Sequence, residues 1–170
     1  EETRADIELM RSQIAACKEI ITGLSRRAGV ERLENPAVAP VDRWLESLRQ
    51  RWQALRPEAA SSLTVTSAGQ APALLADPRL EQAVLNLLNN AANACPQPVE
   101  IGLEWDAQRV RIAVRDRGPG FPPAVLDRGG HAAFAPHDNG SGIGLMLTRA
   151  AVDRTGGSLH LENPPGGGAL

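Results

Sequence analysis

Glu81-Gln-Ala-Val-Leu-Asn-Leu-Leu-Asn-Asn-Ala-Ala-Asn-Ala94 is a helix with two unlike faces. At about 100° per residue, Leu80, Val84, Leu87, Leu88 and Ala91 share one arc, which marks a core-facing side. Gln82, Asn86, Asn89, Asn90 and Asn93 fill the opposite arc. Solvated helix faces are ordinarily Lys, Glu and Arg, which suit helices well. Asparagine does not, because its side chain competes for backbone hydrogen bonds. Each Asn costs ~0.5 kcal/mol relative to Ala, so four cost roughly 2 kcal/mol. A neutral face of donors and acceptors kept at that cost suggests a ligand. Asn offers carbonyl oxygens to a hard cation and N–H groups to phosphate oxygens. On helix physics alone, a solvated face and a ligand face both stay open.

The flanks frame this helix. Asp77 is its expected N-cap and Pro96 its stop. Upstream, Leu63–Thr66 and Ala73–Leu75 read as strands. Before them, a helix capped by Asp42 has Leu45, Leu48, Trp52 and Leu55 as its buried face and ends at Pro57. Downstream, Val99, Ile101, Leu103 and Trp105 alternate, as do Val110, Ile112 and Val114, with Asp106-Ala107-Gln108 as the turn of a hairpin. A Gly/Pro loop, a weakly patterned stretch over Arg128–Ser141 and a helix over Gly142–Arg154 follow. Gly156-Gly157 turns into an expected strand around Leu159 and Leu161. The tail Asn163-Pro-Pro-Gly-Gly-Gly is another turn, leading toward a strand that the chain does not reach. Helices and antiparallel strands interleave, so the fold class is α+β, with a helix layer on a mixed sheet.

At the N-terminus, Ile7, Met10, Ile14, Cys17, Ile21 and Leu24 step by three and four, the narrow seam of a bundle or coiled coil. Arg26 and Arg27 suit the last turn of that helix and Gly29 its stop. Asn35-Pro36 through Pro40 reads as a linker. The expected organisation is a bundle helix over 1–29, a linker over 30–40 and a second domain over 41–170 without its last strand. The abrupt beginning and end look like cuts in a longer protein.

Bulk properties exclude some functions. The formal net charge is −2, so no general attraction to nucleic acid or to an anionic membrane is expected. Aromatic residues make up 3% of the chain, which leaves the core to aliphatic side chains. Cys17 and Cys95 stand far apart and in no metal spacing, as reduced thiols of a cytoplasmic protein would. No apolar run is long enough to cross a bilayer, and no signal peptide is visible.

Two glycine segments complete the pattern. Asp116-Arg-Gly118-Pro-Gly120-Phe121 follows a buried strand directly, where a carboxylate is held firmly and glycines admit a flat ligand. Gly140-Ser141-Gly142-Ile143-Gly144-Leu145 opens a helix, where free N–H groups favour anions. Each alone is a weak signal, and neither matches the dinucleotide fingerprint or the P-loop. In this order with the Asn helix, they resemble the histidine kinase branch of the gyrase/Hsp90/kinase/MutL (GHKL) ATPase superfamily. Phe134-Ala-Pro136 resembles a shortened version of a further motif in the lid. The wording of the Asn segment and the Glu162-Asn-Pro-Pro-Gly-Gly-Gly tail most resemble the RegB/PrrB-type redox-responsive kinases.

The resemblance implies an α/β sandwich of the Bergerat type, preceded by one helix of a dimerisation bundle. It implies ATP and Mg²⁺ as ligands. Asp116 would hold the adenine amino group, and Gly118 and Gly120 would shape the base pocket. Asn90 would bind the metal, with Asn86 and Asn93 near the phosphates. The segment Gly140, Ser141, Gly142, Ile143, Gly144 and Leu145 would wrap the triphosphate. It further implies a homodimer through the bundle helices, a response regulator as partner, and a cytoplasmic domain of a protein anchored in the inner membrane. Many relatives carry Lys where Asn93 stands, so charge neutralisation here falls to the metal or to an arginine. The lid, Arg128–Asn139, is short.

None of His131, His137 and His160 sits on a bundle helix before an acidic residue, so the phosphoacceptor histidine is expected upstream of Glu1. A water-activating hydrolase of this superfamily would need Glu where Asn86 stands, and Asn is a poor base. Two other functions remain as alternatives: another GHKL ATPase or Ser kinase, and a nucleotide-binding module without catalysis.

Overall fold

The structure is a computed structural model that describes residues 38–67, 69–128 and 144–170. The N-terminal seam, the Phe134-Ala-Pro136 motif and His131 and His137 lie outside the described residues.

In chain order the elements are β1 (Val38–Pro40), α1 (Val41–Leu55), β2 (Ser61–Val65), β3 (Ala73–Leu75), α2 (Pro78–Ala94), β4 (Val99–Trp105), β5 (Val110–Arg115), α3 (Pro123–Arg128) and α4 (Gly144–Arg154). The expected α+β architecture is present. A mixed sheet runs β2-β4-β5, parallel between β2 and β4 and antiparallel between β4 and β5. Val99, Ile101 and Leu103 turn inward on β4 and meet Val41, Trp44, Leu45, Leu48 and Trp52 of α1 and Val84, Leu88 and Ala91 of α2. Removing each large side chain of this set from water is worth about 1.5–3 kcal/mol. The outward positions Glu100 and Glu104 carry ion pairs to Arg117 and Arg111 instead.

Local chemistry sets the boundaries. Asp77 caps α2 as expected, its carboxylate accepting from the Arg79 N–H at 2.7 Å with Pro78 in the first turn. The β4–β5 hairpin closes on Asp106, whose carboxylate accepts from the N–H groups of Gln108 and Arg109. Those two bonds hold its carboxyl below the usual range.

Several expectations fail, each for a local reason. Asp42 does not cap α1. The helix starts one residue earlier, after Pro40, and its first N–H goes to Pro72 across the chain. Leu55, the last residue of α1, is 84% exposed rather than buried. Val38–Pro40, read as linker, pairs antiparallel with β3, a three-residue match too short to show periodicity. The short helix α3 was hidden in a Gly/Pro stretch. No ladder forms around Leu159 and Leu161: the Leu159 carbonyl accepts from the Arg149 side chain, while Glu162 exchanges both backbone bonds with Leu170.

Candidate functional site

Helix α2 places its stripes against different neighbours. The Ala83 side meets α4, where the fully buried Thr148 hydroxyl lies 3.4 Å from the Ala83 carbonyl. One turn on, the i, i+4 stripe Asn86–Asn90–Ala94 meets both glycine segments. A Cβ built on Gly144, the first residue of α4, would lie 3.7 Å from Asn90 Nδ2. A Cβ on Gly118 would lie 2.9 Å from the Ala94 carbonyl oxygen and 3.1 Å from its Cβ. Only glycine permits that approach. Leu145 is half-buried in the first turn of α4, and residues 140–143 lie outside the described set.

The asparagine arc is not one face. Trp52 Nε1 donates to Asn89 Oδ1 at 3.0 Å, and Arg56 Nη1 to the same oxygen at 3.3 Å. Asn89 therefore ties α2 to α1. Arg56 Nη2 donates to Asn93 Oδ1 at 3.0 Å, and Gln82 Nε2 to Asn86 Oδ1 at 3.0 Å. Asn90 and Asn93 are exposed and Asn86 is half-buried. The 3.6-residue period separates apolar from polar positions but cannot divide polar positions between two neighbouring elements.

Asp116 is 6% exposed at the end of β5. Its Oδ1 accepts from Gly118 N–H at 2.7 Å and Ala169 N–H at 3.3 Å. Its own N–H bonds Ala169 O at 3.0 Å. Among the described residues Oδ2 accepts nothing, which leaves this buried carboxylate one oxygen for a further donor. The C-terminal tail holds this loop in place, a role that the sequence did not reveal. Asn163 Oδ1 accepts from Phe121 N–H at 2.7 Å, and Asn163 Nδ2 donates to Phe121 O at 2.9 Å. The side chain thus copies a strand partner for the loop. Gly120, at φ +82°, leaves room for it: a Cβ there would lie 2.8 Å from Asn163 Oδ1. The one available sequence signal was the Gly166-Gly167-Gly168 run, where all three adopt positive φ.

A buried carboxylate with a free oxygen, two glycine approaches and an amide stripe can accept an amino group, admit a flat ring and donate to anions. A groove of about 660 Å³ lies elsewhere, between α1 and β2. Its Arg49 is already engaged with Glu46 and Ser61.

Residues 76–170, more than half of the chain, match the family described as "Histidine kinase-, DNA gyrase B-, and HSP90-like ATPase". The chain belongs to this family. Within the family it is similar to the sensor histidine kinase RegB of Cereibacter sphaeroides, 27% identical over 173 aligned residues that cover 94% of this chain and 37% of RegB. It is also similar to the histidine-protein kinase/phosphatase MprB of Mycolicibacterium vanbaalenii, 38% identical over 96 residues, 52% of this chain and 20% of MprB. The chain therefore spans little more than a third of the RegB relative's length. Among solved structures, a mycobacterial sensor histidine kinase MprB matches with a TM-score of 0.61 and 25% identity, over 78% of this chain and 93% of that one. Full-length ShkA in complex with AMPPNP matches with a TM-score of 0.63 and 28% identity, over 78% of this chain and 29% of that one. The GHKL resemblance and the α+β ATPase fold that it implied both hold, and the domain is an ATP-binding one.

Proposed function

We propose that this domain is the Mg-ATP-binding catalytic part of a two-component sensor histidine kinase, delivering the γ-phosphate to a histidine on a separate bundle helix. The observation that carries it is the convergence of Gly118, which is held by the buried Asp116, and of Gly144 on one stripe of α2. In this reading Asp116 accepts from the adenine amino group, and Gly118 and Gly120 shape the base pocket by letting the loop pack closely on Ala94 and Asn163. Asn86, Asn90 and Asn93 face the phosphates, as does the segment Gly140, Ser141, Gly142, Ile143, Gly144 and Leu145. The described residues contain no cluster of His, Cys, Asp or Glu fit for a metal. A Mg²⁺ would instead take Asn90 Oδ1 with phosphate and water oxygens, a hard, oxygen-only set. A cation held there would supply charge neutralisation for the phosphates, and the protein's share of the work would be positioning.

Kinase chemistry is favoured over hydrolysis because Asn86 has no basicity to activate water. The same reading makes residues 1–29 a bundle helix, followed by a linker and then the catalytic domain, which takes in the paired strand β1 (Val38–Pro40) as well as residues 41–170. Self-association would run through Ile7, Met10, Ile14, Ile21 and Leu24, and a response regulator would receive the phosphate. No helix among the described residues is long and apolar enough to cross a membrane. A cytoplasmic domain tethered to the inner membrane from elsewhere is the arrangement we favour.

Incubation with γ-labelled ATP tests the division of labour. Phosphoryl transfer needs a positioned nucleophile and a base. His160 is exposed and, among the described residues, pairs with Ser158 at 3.1 Å. The 170-residue chain is expected to bind Mg-ATP yet stay unlabelled, and to support labelling of a supplied histidine-bearing bundle helix. Stable, acid-labile label on the chain alone would show that the acceptor has been misplaced.

A further inference from the structure

The asparagine stripe carries no charge of its own, yet a polyphosphate brings several negative charges. Among the described residues, Arg56 brings a cation from another element to the adjacent Asn89 and Asn93 positions. Arg56 ends α1, its backbone N–H bonding Trp52 O and Gln53 O. From there Nη1 donates to Asn89 Oδ1 and Nη2 to Asn93 Oδ1. Guanidinium and indole nitrogens donate only, so they pair with the amide oxygens and fix both amide orientations. Asn89 and Asn93 turn Oδ1 toward α1 and Nδ2 away. Asn89 is half-buried and its oxygen is shared by Trp52 and Arg56, which makes it a structural tie. Asn93 is exposed, and its outward group is a donor pair. That suits an anion and not a metal, which takes oxygen.

Arg56 also keeps capacity in reserve. Of its five N–H bonds, one goes to Glu58 through Nε, at 3.2 Å, and two go to the asparagines. Among the described residues one N–H on each terminal nitrogen is left, a charged donor for a phosphate oxygen. Glu58 holds only the Nε edge, and its side chain is 66% exposed, so solvent weakens its hold on the charge.

We propose that Arg56 supplies the positive charge for the terminal phosphate of the bound nucleotide and holds Asn93 as a second phosphate donor. This rests on the ATP reading of the α2 stripe, in which Asn93 lies one turn beyond Asn90. Its rival is a purely structural arginine that staples α1 to α2. A staple affects every nucleotide equally, whereas a terminal-phosphate contact separates ATP from ADP.

The test is calorimetric titration of the 170-residue chain with Mg-ATP and Mg-ADP. Arg56→Gln keeps a neutral donor for the asparagine oxygens and removes the charge. It is expected to weaken ATP about tenfold more than ADP, the scale of a lost charged hydrogen bond. Arg56→Lys is expected to recover part of that difference, because it restores charge without the fork. Arg56→Ala should lower thermal stability as well, so Arg56→Gln decides the matter if the alanine variant unfolds. An unchanged ATP-to-ADP affinity ratio in a folded Arg56→Gln protein overturns the assignment. Failure of the unsubstituted chain to bind either nucleotide would instead remove the ATP reading beneath it.

Discussion

Asp116→Asn is expected to remove measurable ATP binding while leaving the fold intact. The reason lies in how the two carboxylate oxygens are used. Oδ1 accepts from two backbone N–H groups, Gly118 and Ala169, and Oδ2 accepts from none of the described residues. An asparagine keeps its oxygen toward those two donors, since its NH₂ cannot accept. The NH₂ then stands where Oδ2 stood and faces the adenine amino group, donor against donor. The loss combines a charged hydrogen bond, roughly 1.5–3 kcal/mol, with that mismatch. Affinity should fall by at least about 10- to 150-fold. Guanine carries a carbonyl at the corresponding place, so the ratio of ATP to GTP affinity should fall too. ATP affinity that stays the same in the variant, by calorimetry, would refute the role given to Asp116.

Gly168→Ala carries the second large effect. Gly168 is buried with φ at +89°, and a Cβ there would fall within the van der Waals envelope of the Asp116 carbonyl oxygen. The Asp116 carbonyl carbon and Arg117 Cα crowd the same position, at 2.9 and 3.2 Å. The substitution must push the tail away from the strand end. That breaks both Ala169 bonds to Asp116 and loosens the Asn163 clamp on Phe121. Gly167 is a built-in control, with the same φ of +89° and nothing within 4 Å of its Cβ position. Gly167→Ala should cost about 1 kcal/mol in backbone strain alone. Gly168→Ala should cost about 3 kcal/mol or more, because overpacking adds to the strain. Chemical denaturation measures both. Equal losses would mean that the tail does not buttress the loop.

The fold was largely legible because its main elements are long and periodic. Helix α2 shows a 3.6-residue period over four turns, β4 shows a clean alternation, and Asp77 and Pro96 mark ends with known chemistry. What was not legible is short or non-local. β1 and β3 are three residues each and exist by pairing with each other. The Asp42 cap failed because the helix start is settled by a hydrogen bond to Pro72, thirty residues on. The region around Leu159 has the composition of a strand but no neighbour to pair with among the described residues.

The site was legible in its parts and not in its division of labour. Asp116, Gly118 and the α2 asparagines stand out by residue type and order. Nothing in sequence spacing tells that Asn89 faces Trp52, that Arg56 turns Asn93 outward as a donor, or that Asn163 and Gly168 brace the loop from more than forty residues away. These depend on which elements lie side by side. Hydrophobic patterning says that a residue faces a neighbour and leaves the neighbour unnamed.

The most direct test of the central claim is to follow amide resonances of the chain while adding Mg-ATP. Shifts are expected to concentrate on the side-chain amides of Asn86, Asn90 and Asn93 and the backbone of Asp116, Gly118, Gly120 and Gly144. The Asn89 amide, held between Trp52 and Arg56, should move less than Asn90. Saturable shifts confined to the groove between α1 and β2, around Arg43, Gln50 and Ser62, with the α2 stripe unmoved, would contradict it.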